Sequence, residues 1–173
     1  MAPCREPELL PPLAYCPLQP DTLNKSNILT CHAAHVAEIR SEVLIEAPLE
    51  RVWEIVSDID NEPKFWKGTK EVRNISADGG RISREVTLAF GDKKCTQDVT
   101  ITPRESIDVL FTGGMIKGTK RVELEPRDGA VALRAIWNIK MGGMIGPFSG
   151  IVGRHVRKGT ESALHLIKEE AER

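Results

Sequence analysis

The sequence has no run of about eighteen apolar residues, so no part of it is suited to cross a membrane as a helix. It has no block of like charges either, because 24 Lys and Arg residues are balanced by 25 Asp and Glu residues. The sequence therefore gives no sign of the strong positive electrostatic field that binds the phosphates of nucleic acid, and nucleic acid is not expected as a partner. Pro3, Arg5, Glu6 and Pro7 stand where a secretory signal needs an apolar stretch, which predicts a cytoplasmic protein.

Cysteine is scarce in the patterned part of the chain. Three of the four cysteines lie near the N-terminus: Cys4, Cys16 and Cys31. With only Cys95 beyond them, the pattern is not a disulfide framework, and reduced thiols are expected. An alternative treats Cys31, His32 and His35 as zinc ligands, but a fourth ligand has no obvious source, so no metal site is predicted.

Known catalytic motifs are also missing: there is no nucleophile elbow, no HExxH and no pair of carboxylates on one inward face. The glycine-rich run from Met141 to Gly153 lacks the Gly-Lys-Ser/Thr ending of a phosphate loop, so no nucleotide or other cofactor is expected. Lys120 and His155 remain as the candidate acid or base groups.

The chain divides into a tail and one domain. Six of the eleven prolines fall within the first twenty residues, which show neither a helical nor a strand period. Residues 1–34 are therefore predicted to be a disordered tail, and residues 35–173 a single domain.

The spacing of apolar residues within the domain changes between the two-residue period of strands and the 3.6-residue period of helices. Residues 36–46 alternate as a half-buried strand does, and the segment from Pro48 to Ile59 has apolar residues at helical spacing, with a second helical turn at Pro63 to Trp66. Five turn signals then divide some seventy residues into six short strands; the turns are at 78–80, 91–92, 103–105, 113–114 and 127–129. Connections this short predict an antiparallel meander, and a helix of about 25 residues follows from about Pro147.

The segment SEVLIEAPLERVWEIVSDIDNEPKFW, residues 41–66, and the closing GRHVRKGTESALHLIKEEAE, residues 153–172, resemble the START-like or SRPBCC superfamily. This superfamily includes polyketide cyclases and dehydrases, lipid-transport proteins and coenzyme Q-binding proteins. The resemblance covers residues 36–173 and implies an α+β helix-grip fold. In that fold a seven-stranded antiparallel sheet wraps around a long C-terminal helix, with two short helices between strands 1 and 2.

Four polar side chains share a predicted inward face with apolar ones: Arg84, Gln97, Lys120 and His155. Burying such groups without partners costs several kcal/mol, so each needs a partner, a water or a ligand. Alternatively, Arg84 and Lys120 lie near strand ends and extend to solvent, and His155 is a satisfied core or rim histidine.

An apolar lining is predicted from inward strand positions and from the faces of the helices. Its members are Trp66, Phe90, Phe111, Trp137, Ile139, Met141, Phe148 and Val152. For any one aromatic residue, plain core packing is an equal alternative, but as a set they suit a cavity between sheet and helix.

Three functions stay open at this point. The first is a carrier or binding module for a hydrophobic lipid, quinone, isoprenoid or polyketide, which would touch a membrane surface transiently. The second is a cyclase or dehydratase in which His155 or Lys120 moves a proton. The third is a protein-binding module of the chaperone-activator type, favoured if the interior is filled by its own side chains.

Overall fold

The computed structural model describes residues 37–141 and 149–173, which belong to one structural unit, residues 34–173. The first strand, β1, covers Ala37–Ile45, with Ile39 and Ile45 buried and Glu42 and Leu44 exposed. Helix α1, Leu49–Ser57, starts directly after Pro48, whose extended backbone ends the strand. A 3-10 turn at Ile59–Asn61 leads into the short helix α2, Glu62–Phe65.

Six further strands follow, separated by the five predicted turns. Their bounds are Thr69–Asp78 (β2), Arg81–Leu88 (β3), Lys94–Thr102 (β4), Ser106–Gly113 (β5), Ile116–Arg127 (β6) and Ala130–Met141 (β7). The sheet order is β1-β7-β6-β5-β4-β3-β2, with every pair antiparallel. The meander and the seven-stranded sheet predicted from the turn signals are therefore confirmed.

The long helix α3 covers Ser149–Ala171 and packs against β1, α1 and α2. Its buried residues recur at three- and four-residue spacing: Thr160, Ala163, Leu164, Ile167 and Ala171. Of these, Leu164, Ile167 and Ala171 share the main core with Ile45, Val52 and Leu133, which are fully buried. Lys168 Nζ donates to the Leu44 carbonyl at 2.7 Å, and Glu172 accepts from the Glu46 amide at 2.7 Å, so the end of α3 is fixed to the end of β1. No helix among residues 37–141 and 149–173 is long and apolar enough to cross a membrane.

Candidate functional site

A buried polar cluster lies on the concave face of the sheet and consists of Glu62, Arg84, Gln97 and Lys120. Arg84 in β3 faces Gln97 in β4 across the strand pair, and its Nε donates to Gln97 Oε1 at 2.9 Å. Another guanidinium nitrogen donates to the Ile59 carbonyl at 3.2 Å, and a third pairs with the Glu62 carboxylate. Lys120 in β6 donates to the other Glu62 oxygen at 2.6 Å. One carboxylate thus holds two cations.

Burial makes this arrangement electrostatically demanding. The side chains of Arg84, Lys120 and Glu62 are 1%, 5% and 11% exposed. The alternative in which Arg84 and Lys120 extend to solvent is therefore wrong. Both stand in the middle of their strands, and Glu62 of α2 covers them with a counter-charge.

The pKa values of the paired groups follow from burial and charge together. Burial raises the pKa of Glu62. The charges and hydrogen bonds of Lys120 and Arg84 lower it by a larger amount, so the pKa falls below its ordinary 4.5. Burial lowers the pKa of Lys120, and the neighbouring Arg84 lowers it too, while Glu62 only partly restores it. Glu62 is therefore ionised at neutral pH, and Lys120 is a less stable cation than an exposed lysine.

Acid should expose the contribution of Glu62 to stability. Its folded-state pKa lies below the unfolded value, so the stabilisation is fully present above about pH 4.5 and is lost as pH falls through the lowered folded-state value. We expect the gap in unfolding free energy between wild type and Glu62→Gln, measured by urea titration, to shrink as pH falls below 4.5. A gap that stays constant down to pH 2 would contradict this assignment.

An aromatic group of three side chains, Trp66, Phe111 and Trp137, adjoins the polar cluster. The Trp137 ring lies 6.0 Å from both the Trp66 ring, edge to face, and the Phe111 ring, stacked. Lys120 Nζ lies 3.5 Å from the centre of the Trp66 ring and 5.3 Å from that of Trp137. These contacts stabilise a cation on an otherwise apolar wall.

Position 118 interrupts the side chains of β6 beside the aromatic group. Gly118 stands between Phe111 of β5 and Ile139 of β7 in the strand register, two residues before Lys120. A Cβ at this position would lie 2.0 Å from the Asn138 carbonyl oxygen, so the close pairing of β6 with β7 requires glycine here. Strand alternation alone did not mark this position.

The described residues leave little open space at this site. The cavity between α1, α2 and the sheet has a volume of about 30 Å³ and is lined by Glu62, Trp66, Arg84, Lys120 and apolar neighbours such as Val109. A volume of this size holds one or two waters, whereas small-molecule sites occupy about 300 Å³ or more. The side chains around this cavity therefore leave no room for a ligand of that size.

Two predicted site residues lie elsewhere. Phe90 is 77% exposed because β3 ends at Leu88, and the turn closed by the bond from Leu88 to Lys93 breaks the strand alternation. His155 is exposed because it lies off the buried face of α3. That face includes Thr160, and one turn earlier it continues at Val156, which is partly buried. The predictions that Phe90 forms a wall and that His155 lies on the apolar side of α3 are wrong.

Some predicted residues lie outside the part of the chain that the structure describes. They are Phe148, the side chains of Met141 and Val152, and the alternative zinc ligands Cys31, His32 and His35. Within the described residues, no group of three or more His, Cys, Asp or Glu side chains is placed to hold a metal ion.

Glu62 was not among the candidate residues predicted from the sequence. A signal was present, since two inward cations at positions 84 and 120 require an anion, and α2 is the neighbouring element with an acidic residue at its start.

The sequence and the fold are similar to those of known proteins. A family model described as polyketide cyclase / dehydrase and lipid transport matches residues 45–165. A protein from Thermus thermophilus aligns with a TM-score of 0.69 at 16% identity, over 78% of this chain and 97% of that chain. The ZhuI aromatase/cyclase from Streptomyces sp. R1128 aligns with a TM-score of 0.68 at 15% identity, over 80% of this chain and 95% of that chain.

The structure named Ara h 8.0201 is similar as well, with a TM-score of 0.62 and 17% identity over 79% of this chain and 98% of that chain. These likenesses confirm the helix-grip fold. No curated protein sequence matches the chain.

Proposed function

Because this chain belongs to the polyketide cyclase / dehydrase and lipid transport family, we propose that it binds a hydrophobic small molecule between its sheet and α3, as a carrier or binding module. The observation that carries the proposal is the contact of the aromatic group with the buried polar cluster. Lys120 lies against the Trp66 ring while its ammonium pairs with Glu62. Apolar walls that meet a few fixed polar groups are typical of small-molecule sites, because the walls supply affinity and the polar groups orient the ligand.

Binding has to enlarge the space that the described side chains leave. About 30 Å³ accommodates no lipid, quinone or polyketide, so part of the aromatic group must move when a ligand enters. Trp66 is the best candidate, since it follows the short helix α2 rather than standing in a strand, and it is only partly buried. Trp137 and Phe111 are held in the central strands β7 and β5.

Filling the cavity should weaken binding of an apolar probe. Val109 is buried in β5 and lines the cavity, so Val109→Phe places a ring in the space that a ligand must use. We expect N-phenyl-1-naphthylamine to bind the wild type, measured by its fluorescence, and to bind Val109→Phe at least about tenfold more weakly. The substitution itself costs about 1–3 kcal/mol of stability.

Leu110→Phe is the matched control, because Leu110 is the next residue of β5, faces the opposite side of the sheet and is 43% exposed. It should bind the probe as the wild type does. Near-ultraviolet circular dichroism of both variants separates weak binding from misfolding. Equal binding by Val109→Phe and Leu110→Phe would place the probe outside this cavity and contradict the proposal.

A cyclase or dehydratase is the second candidate, and Lys120 favours it. The lysine combines a lowered pKa with a carboxylate 2.6 Å away, which is a suitable pair for moving a proton within an apolar site. His155, the other sequence candidate, is exposed and does not belong to this group. Turnover of a polyketide-like substrate that disappears in Lys120→Met while binding persists would favour the enzyme over the carrier.

The small cavity supports a protein-binding module as the third candidate. In that case the interior serves packing alone. Native mass spectrometry after gentle purification separates the candidates, because a carrier retains an apolar molecule whose mass is measurable. Absence of both a retained molecule and probe binding would favour the protein-binding module and contradict the carrier.

A further inference from the structure

The buried polar cluster carries more positive than negative charge. Arg84 and Lys120 supply two cations, Glu62 supplies one anion, and Gln97 is neutral. All three ionised groups are buried or nearly so, and a net charge in such a place is costly because water cannot screen it.

Neighbouring groups do not supply the missing negative charge. Asp58 lines the same cavity, but it is exposed and accepts a hydrogen bond from Asn61 at 2.7 Å, so solvent screens it. The segment between β7 and α3, residues 142–148, has no ionisable side chain in its sequence. Among the described residues, one buried positive charge is therefore left without a buried counter-charge.

Hydrogen-bond donors without acceptors lie beside the buried polar cluster. The indole Nε1 of Trp137 is buried and has no partner within the described part of the chain. Trp137 stands directly opposite Lys120 in the pairing of β6 with β7. An ammonium has three N–H donors, of which Glu62 accepts one, so Lys120 also retains donors. An anionic oxygen within reach of both residues would accept from both and balance the charge.

Loss of a proton from the Lys120 ammonium would also remove the excess positive charge, without an anion. Its contacts oppose that loss, since the ammonium lies on the face of the Trp66 ring and donates to a carboxylate at 2.6 Å. Both interactions are stronger with the charged form than with the neutral amine.

We infer that the ligand of this site is a hydrophobic molecule with one negative charge at the end that meets Lys120 and Trp137, such as a carboxylate, phenolate or enolate. The inference rests on the proposed function, because it specifies the molecule that the site would bind.

Two fluorescent probes with the same aromatic skeleton test it on the full chain. N-phenyl-1-naphthylamine is uncharged, and 8-anilinonaphthalene-1-sulfonate differs from it by one sulfonate. We expect the wild type to bind the sulfonate at least about tenfold more tightly, the effect of one charge-assisted hydrogen bond. Lys120→Met, which leaves Arg84 paired with Glu62 and the cluster neutral, should lose that preference.

Lys117→Met is the matched control, since Lys117 is an exposed lysine of the same strand and its loss should leave the preference unchanged. Equal binding of both probes by the wild type would overturn the inference and leave the proposed function standing. A preference that persists in Lys120→Met would also overturn it, because the anion would then bind elsewhere. Failure of both probes to bind would overturn the inference and the proposed function together.

Discussion

Replacing Glu62 by Gln should lower the free energy of unfolding by about 3–5 kcal/mol at neutral pH, because it leaves Arg84 and Lys120 buried without their shared anion. Gln has nearly the same shape as Glu, so the loss reports charge rather than packing. Urea unfolding followed by tryptophan fluorescence measures it.

Glu54→Gln is the matched control, since Glu54 lies in α1, is 70% exposed and pairs with Arg51 only at 3.7 Å. Ion pairs of that kind contribute little, so no measurable change is expected. A double-mutant cycle of Glu62→Gln with Lys120→Met adds a second measurement. Removing Lys120 removes one of the two unpaired cations, so Lys120→Met should cost less in the Glu62→Gln background than in the wild type.

If Glu62→Gln unfolds at the same urea concentration as the wild type, the carboxylate does not neutralise the two cations. The ion pairs of Arg84 and Lys120 with Glu62 would then have to be abandoned as the basis of the site.

Strand bounds were predictable because local turn chemistry sets them. Asp78-Gly79-Gly80 and Arg127-Asp128-Gly129 take positive φ values at the residues that hairpin turns require, so the sequence marks the corners directly. Strand alternation then places Arg84, Gln97 and Lys120 on the inward face without any tertiary information. All three are buried, as that pattern predicts.

Glu62 was not predictable in the same way, because its role depends on contacts distant in sequence. It meets Arg84 across 22 residues and Lys120 across 58. Only the packing of α2 against the sheet brings these positions together. Locally, Glu62 is an ordinary acidic residue at the start of a helical turn that also contains Pro63.

Phe90 and His155 are residues whose burial could not be predicted from the strand and helix periods of the sequence. The strand period was continued by two residues past Leu88 into a turn, and the helix face was assigned one residue away from the observed one. In a helix, one residue is a rotation of about 100°, enough to move a side chain from the core to solvent. Cavity volume is harder still to predict, since it depends on rotamers and on how closely the helices approach the sheet.

The pairing of β6 with β7 beside the aromatic group depends on a glycine, and replacing it should have a large effect. Gly118 has a φ of +122°, and a Cβ built there would lie 2.0 Å from the Asn138 carbonyl oxygen of the neighbouring strand. Backbone atoms in the middle of a sheet cannot move aside without breaking its hydrogen bonds. We therefore expect Gly118→Ala to lower the free energy of unfolding by about 3 kcal/mol or more, since strain at such a φ alone costs about 1–3 kcal/mol.

Gly129→Ala separates the two causes. Gly129 has a φ of +87° in the turn between β6 and β7, but a Cβ there would meet no atom within 4 Å. It should show the cost of the backbone conformation alone, so the larger loss in Gly118→Ala measures the contact with Asn138. Equal losses in urea unfolding would mean that β6 and β7 separate locally to admit a methyl group. The pairing of these two strands would then tolerate a side chain at position 118 and would not depend on glycine.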